Sequence, residues 1–267
     1  MNRVVLTIAG SDPSGGAGLQ ADIKTITAHG MYAMSVITAV TAQNTTGVYA
    51  AEAVDPELVE HQLDCVLRDI PPHAVKIGML HSRETVLRVA KKLKEYDIGH
   101  IVLDPVLYST SGKPLLESDA EDAMKNELFP LAELITPNLP EAECLCGRRL
   151  FSGSDILRTA ERLAGCYGCG VLLKGGHRPG KSAADLLLSG GKPRWYCTRR
   201  RESTNTHGTG CTLSSAIACG LAAGLPLPQA VGQGKRYLTG ALGAGLNLGE
   251  GNGPLDHCWS LKSRELF

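Results

Sequence analysis

The run Thr206-His207-Gly208-Thr209-Gly210-Cys211 ends where a small-residue helical pattern begins. Glycines let successive backbone N–H groups point into one concavity, and a helix N-terminus adds partial positive charge. Gly208, Thr209 and Gly210 therefore read as an anion hole. A cysteine at such a helix start has its pKa lowered from about 8.5, so Cys211 is a candidate to take a proton from a substrate hydroxyl. An inert buried cysteine beside a glycine-rich turn explains the same residues equally well. Lys174 ends the apolar run Val171-Leu172-Leu173. Lysine is rarely buried without a partner, so Lys174 either holds phosphate oxygens or snorkels to solvent. The loop after it, 175–183, carries three glycines and two basic residues and reads as a mobile lid.

Two carboxylates also fall just past apolar runs, Asp104 in Leu103-Asp104-Pro105-Val106 and Glu141 in Asn138-Leu139-Pro140-Glu141. Mg²⁺ that arrives with a nucleotide takes only one or two carboxylates and keeps several waters, a need this pair meets. For Glu141 a helix first-turn acid is an equal reading. Gln43, in Thr41-Ala42-Gln43-Asn44-Thr45, carries both a donor and an acceptor and is able to pair with an amino group beside a ring nitrogen. The loop Gly10-Ser11-Asp12-Pro13-Ser14-Gly15-Gly16-Ala17-Gly18 satisfies GxGxxA through Gly16, Gly18 and Ala21. A dinucleotide site needs an acid ending the second strand, and 36–43 has none. Close approach of backbone to a small ligand is the better reading of these glycines. GxxxxGK[ST] is absent, which argues against a P-loop.

Positioning these residues falls to apolar runs at 4–9, 35–42, 74–78, 101–106, 134–137 and 170–173, each continuously apolar or β-branched, as strands covered on both faces are. Between them, Val59, Leu63, Val66, Leu67 and Ile70 share one helical face, as do Val86, Val89, Ala90 and Leu93. Asp55-Pro56 and Ser82 read as helix N-caps. The segments 183–188 and 194–197 read as a hairpin, followed by helices at 211–224 and 227–246. Such alternation predicts an α/β three-layer sandwich, a mostly parallel central sheet with helices on both faces. Ligands of such sheets sit beyond the strands' carboxyl ends, where the polar motifs fall.

The 267 residues suit one domain, 1–267, and 43% hydrophobic against 20% charged is an ordinary globular balance. Twenty-seven basic and 27 acidic residues give zero net charge, and with 4% aromatics Arg199-Arg200-Arg201 is a solvated loop rather than a nucleic-acid groove. No stretch reads as a membrane span or a secretory signal, so the expected location is the cytoplasm, with nine reduced cysteines. Cys166-x-x-Cys169 lacks a matching second pair and reads as chance spacing rather than zinc.

Taken together, the motifs resemble the hydroxymethylpyrimidine/phosphomethylpyrimidine kinases of thiamine synthesis, within the ribokinase-like superfamily. The resemblance runs through LTIAGSDPSGGAGLQADIK (6–24), SVITAVTAQNTTG (35–47), VKIGML (75–80), VLDPV (102–106), ITPNLPEAE (135–143), KGGH (174–177), NTHGTGCTL (205–213) and GNGPLDH (251–257). It implies two sequential ATP-dependent phosphorylations, of the hydroxymethyl group and then of the monophosphate. It implies that Gln43 reads the pyrimidine edge with Gly10, Asp22, Met79 and Val106 around it, and that Asn138 and Glu141 form an NxxE pair placing Mg²⁺. Lys174 would contact phosphates, and Cys211 would stand at the base position. The resemblance also implies a homodimer. The stretch Leu107-Tyr108-Ser109-Thr110 departs from the commonest pattern, in which a Lys precedes Ser-Gly.

Three other readings compete. A pyridoxal or pyridoxine kinase shares fold and anion hole, but Gln43 favours an aminopyrimidine. A non-catalytic pyrimidine sensor needs none of Cys211, Lys174, Glu141 and Asp104. A thiol hydrolase needs a positioned His, and His207 lies on the wrong side of the turn from Cys211.

Overall fold

The computed structural model describes residues 3–108, 112, 114–176, 180–201 and 203–261. Among the described residues nine strands form one sheet in the order β3-β2-β1-β4-β5-β6-β7-β8-β9. They are β1 (Val4–Ser11), β2 (Tyr32–Asn44), β3 (Gly47–Ala53), β4 (Ala74–Ile77), β5 (Ile101–Leu103), β6 (Leu134–Ile135), β7 (Gly170–Leu173), β8 (Ser182–Ser189) and β9 (Lys192–Arg199). From β2 to β7 every neighbouring pair is parallel, while β3, β8 and β9 run antiparallel to their neighbours.

Alternation along the strands divides the core. Leu6, Ile8, Val75 and Ile77 point to the face covered by α2 (Pro56–Asp69), α3 (Arg83–Glu95), α4 (Ala120–Ala123), α5 (Leu139–Cys146) and α6 (Gly153–Tyr167). Val5, Val102, Leu134 and Leu172 point to the other face, under α1 (Gly18–Ala28), α7 (Thr209–Ala222) and α8 (Leu227–Ala244). This is the expected three-layer α/β sandwich. Both expected caps form: Asp55 accepts from the amides of Glu57 and Leu58, and Ser82 from that of Thr85.

Two features differ from the sequence reading. The runs at 101–106 and 134–137 are strands only to Leu103 and Ile135. The polar residue that follows each, Asp104 or Thr136, leads into a proline without an amide to donate, so the ladder stops and the chain turns along the sheet's carboxyl edge. The edge strand β3, GVYAAEA, is too rich in small residues to signal a strand. It forms because it pairs with β2. Among the described residues no helix is long and apolar enough to cross a membrane. All nine cysteines carry free thiols. Among the described residues no three His, Cys, Asp or Glu side chains gather as a metal cluster.

Candidate active site

Gly208 starts α7 at φ 80°, a left-handed backbone that glycine adopts freely. A side chain there would strike the Gly16 carbonyl, so the two glycine-rich loops touch backbone to backbone. The clasp between them is Asp12. Its Oδ1 accepts from the amide and hydroxyl of Ser14 (2.8 and 2.7 Å), and its Oδ2 from the amides of Gly16 and Ala17 (3.1 and 2.7 Å). The same Oδ2 lies 2.8 Å from His207 Nε2. Burial would raise the Asp12 pKa, but His207, Ser14 and the Ala17 amide together hold it below the usual carboxylate value. An ionised Asp12 thus ties the 12–17 loop to the residue before the Gly208 helix start.

Opposite the helix start stand the residues past β5, β6 and β7. Lys174 Nζ lies 2.6 Å from Asp104 Oδ1, which also accepts from the Thr136 hydroxyl at 2.9 Å. A Cβ built on Gly210 would sit 3.0 Å from Asp104 Oδ2 and 3.3 Å from Lys174 Nζ. The pair therefore faces the first turn of α7, whose early amides have no carbonyl partner within the helix. Although burial alone would lower the Lys174 pKa, Asp104 and Glu141 raise it, so it remains an ammonium.

Asn138 and Glu141 hold each other at the start of α5. They close a capping box on α5, in which Asn138 Oδ1 accepts from the Glu141 amide (2.9 Å) and Glu141 Oε2 from the Asn138 amide (2.7 Å). The Asn138 side-chain oxygen, expected to help place Mg²⁺, is thereby engaged in holding the helix. Burial and the charge of Asp104 push the Glu141 pKa up to about 7 against the opposing pull of Lys174 and the Asn138 amide.

Cys211 is the third residue of α7. The expectation of a lowered pKa is overturned. Burial comes first and the nearby Asp22 and Asp104 add to it, so the thiol is pushed up to about 11 despite Lys76 and the Gly18 amide. Desolvation and two carboxylates outweigh a helix end.

Asp22, expected to stand around the pyrimidine, is engaged through both of its carboxylate oxygens. It is wholly buried, with Oδ2 accepting from Thr7 Oγ1 (2.6 Å) and Lys76 Nζ (2.8 Å) and Oδ1 accepting from Ser215 (2.7 Å). It serves as counter-ion to Lys76, which lies in the middle of β4 and is equally buried. Asp22, Cys211 and Asp104 together raise the Lys76 pKa against burial. Lys76 was missed, although a lysine inside Ala74-Val75-Lys76-Ile77 is a visible anomaly.

Gln43, one residue before the end of β2, donates to Thr41 Oγ1 at 2.9 Å. Gly10 and Met79 are neighbours, since a Cβ on Gly10 would lie 3.1 Å from Met79 Sδ. Val106 follows β5, its amide bonded to the Asp104 carbonyl at 2.9 Å. The 175–183 segment is tied down at its described ends: Gly175 donates to Asp185, and Arg200 bonds the carbonyls of Gly176 and Gly180. Residues 177–179 and 109–111, which include His177 of the KGGH motif, Ser109 and Thr110, lie outside the described residues.

The sheet order and the site at its carboxyl edge define a ribokinase-like α/β fold. A Bacillus subtilis pyridoxal kinase solved with ADP superposes with a TM-score of 0.90 at 31% identity, over 99% of this chain and 100% of that one. Phosphomethylpyrimidine kinase from Clostridium difficile gives a TM-score of 0.79 at 44% identity, over 89% and 98%. The Rhizobium meliloti hydroxymethylpyrimidine/phosphomethylpyrimidine kinase is 47% identical over 96% of this chain and 97% of its own. A Geobacter sulfurreducens bifunctional protein, ThiED of thiamine biosynthesis, is likewise 47% identical; the chain spans about half its length (52%). The family model described as phosphomethylpyrimidine kinase matches residues 12–256, and the chain belongs to that family.

Proposed function

We propose that this chain, acting as one domain over residues 1–267, transfers the γ-phosphoryl group of ATP to hydroxymethylpyrimidine and then to the resulting monophosphate. The observation that carries the reading is the Lys174–Asp104 pair set against the Gly208–Cys211 helix start. An ammonium and the first amides of α7 converge where a transferring phosphoryl group carries its charge. Phosphoryl transfer rests mostly on such positioning and charge stabilisation.

Lys174 and the amides of Thr209, Gly210 and Cys211 hold the phosphoryl oxygens. Cys211 takes the proton of the attacking hydroxyl. Glu141 and Asp104 would hold Mg²⁺, since both are buried hard oxygen ligands at the sheet's carboxyl edge, and the ion would neutralise phosphate charge there. Asn138 keeps the Glu141 carboxylate in place through the capping box. Gln43 pairs with the aminopyrimidine edge, beside Gly10 and Met79. The protein works in the cytoplasm as a homodimer. ADP release with hydroxymethylpyrimidine, its monophosphate and pyridoxal as separate acceptors tests the reading. Turnover of both pyrimidines well above pyridoxal supports it, and preference for pyridoxal overturns it.

A further inference from the structure

The amide of Gln43 has only one orientation open to it. Thr41 is nearly buried, at 7% exposure, and its hydroxyl donates to the Ser11 carbonyl at 2.9 Å. A hydroxyl has a single proton, and a carbonyl only accepts. With that proton spent on Ser11, the Thr41 oxygen accepts from Gln43 and has nothing to give it. Gln43 therefore turns its NH₂ toward Thr41, at 2.9 Å. The flipped amide would set two acceptors face to face. Ser11 is itself held by the same logic. The Asp12 amide donates to Gln20 Oε1 (2.8 Å), which turns Gln20 Nε2 onto the Ser11 hydroxyl (2.8 Å). Thr41 and Gln43 come together because they lie two residues apart on one face of β2.

We propose that Thr41 is a specificity-determining positioning residue, fixing the polarity of the edge that Gln43 offers to substrate. The proposal rests on the reading in which Gln43 faces the pyrimidine. A fixed amide oxygen accepts from an exocyclic amino group while the remaining N–H donates to the adjacent ring nitrogen. The pyrimidinone counterpart, with a ring carbonyl and a neighbouring N–H, presents the reverse pattern and is refused. A glutamine free to flip would take both.

The test is kcat/KM on the amino substrate and on its pyrimidinone counterpart, for the wild type, Thr41→Val, Thr41→Ser and Gln43→Ala. Thr41→Val keeps the side-chain shape and removes the hydroxyl. We expect it to shrink the amino-over-oxo preference by about tenfold or more, the scale on which an unpaired buried polar group discriminates. Thr41→Ser restores the hydroxyl and keeps the wild-type preference, which a loss of packing alone would not predict. A wild-type ratio in Thr41→Val, alongside a collapsed ratio in Gln43→Ala, overturns the proposal and leaves the Gln43 reading standing. An unchanged ratio in Gln43→Ala overturns both. Should Thr41→Val fail to fold, a Thr41→Ser ratio that falls with Gln43→Ala overturns the proposal on its own.

Discussion

A base whose pKa lies near 11 leaves a signature in the pH dependence of the chemical step. At pH 8 a thiol at about 11 is ionised in roughly one molecule per thousand, and each pH unit multiplies that fraction by ten. If Cys211 takes the proton, single-turnover phosphoryl transfer rises about tenfold per unit from pH 7 to 9. General-base catalysis typically contributes about 10²–10⁴-fold. Cys211→Ala therefore loses most at the alkaline end, and the gap to the wild type narrows about tenfold per unit toward pH 6. Cys211→Asp carries a base already ionised across the range and gives a level profile. The assay is rapid-quench transfer from labelled ATP at saturating acceptor, so that product release does not mask chemistry. A wild-type rate level from pH 7 to 9, or a Cys211→Ala rate that runs parallel to the wild type, refutes the assignment.

Lys76→Met strands the Asp22 carboxylate in the core and is expected to cost about 3–5 kcal/mol in urea unfolding, with Asp22→Asn in the same chain recovering part of it. Glu141 folds with its pKa raised from 4.5 to about 7, so its protonated form favours the native state. That stability is fully present below pH 4.5 and lost as the pH rises through 7, at most about 3 kcal/mol, and unfolding of Glu141→Gln at pH 5 and 8 shows a correspondingly smaller slope. Gln43→Ala is expected to raise KM for the pyrimidine by about 5–150-fold, the equivalent of one lost edge pair at about 1–3 kcal/mol, with KM for ATP nearly unchanged in steady-state kinetics. Light scattering at micromolar concentration is expected to show a dimer.

The parallel centre of the sheet was legible because strands buried on both faces read as unbroken apolar runs. β3 was not, because a small-residue edge strand takes its conformation from its neighbour. Lys174, Asp104 and Cys211 were visible as chemistry at strand and helix ends, and the structure brings them together. Their electrostatics were hidden. The rule that a helix start acidifies a thiol is local, whereas the Cys211 environment is set by Asp22 and Asp104, 189 and 107 positions away in sequence. The capping box at Asn138-x-x-Glu141 carries a local signature, yet the sequence reading set only a helix first-turn acid against the metal ligand. Thr41 gave no signal at all, since its part depends on where the Ser11 carbonyl lies.

The clasp between Asp12 and His207 joins positions 195 residues apart, and Ser215 reaches Asp22 across 193. Contacts of such separation demand that nearly the whole chain be present and its loop closed before they form. During synthesis the N-terminal strands emerge first, and they carry the glycine-rich loop, Asp22 and Lys76 with no partner for the loop's clasp. The helix start at Gly208 arrives only with α7, when about four-fifths of the chain has been made. A chain that stops short of α7 carries Lys174 and Asp104 with no helix start to face them.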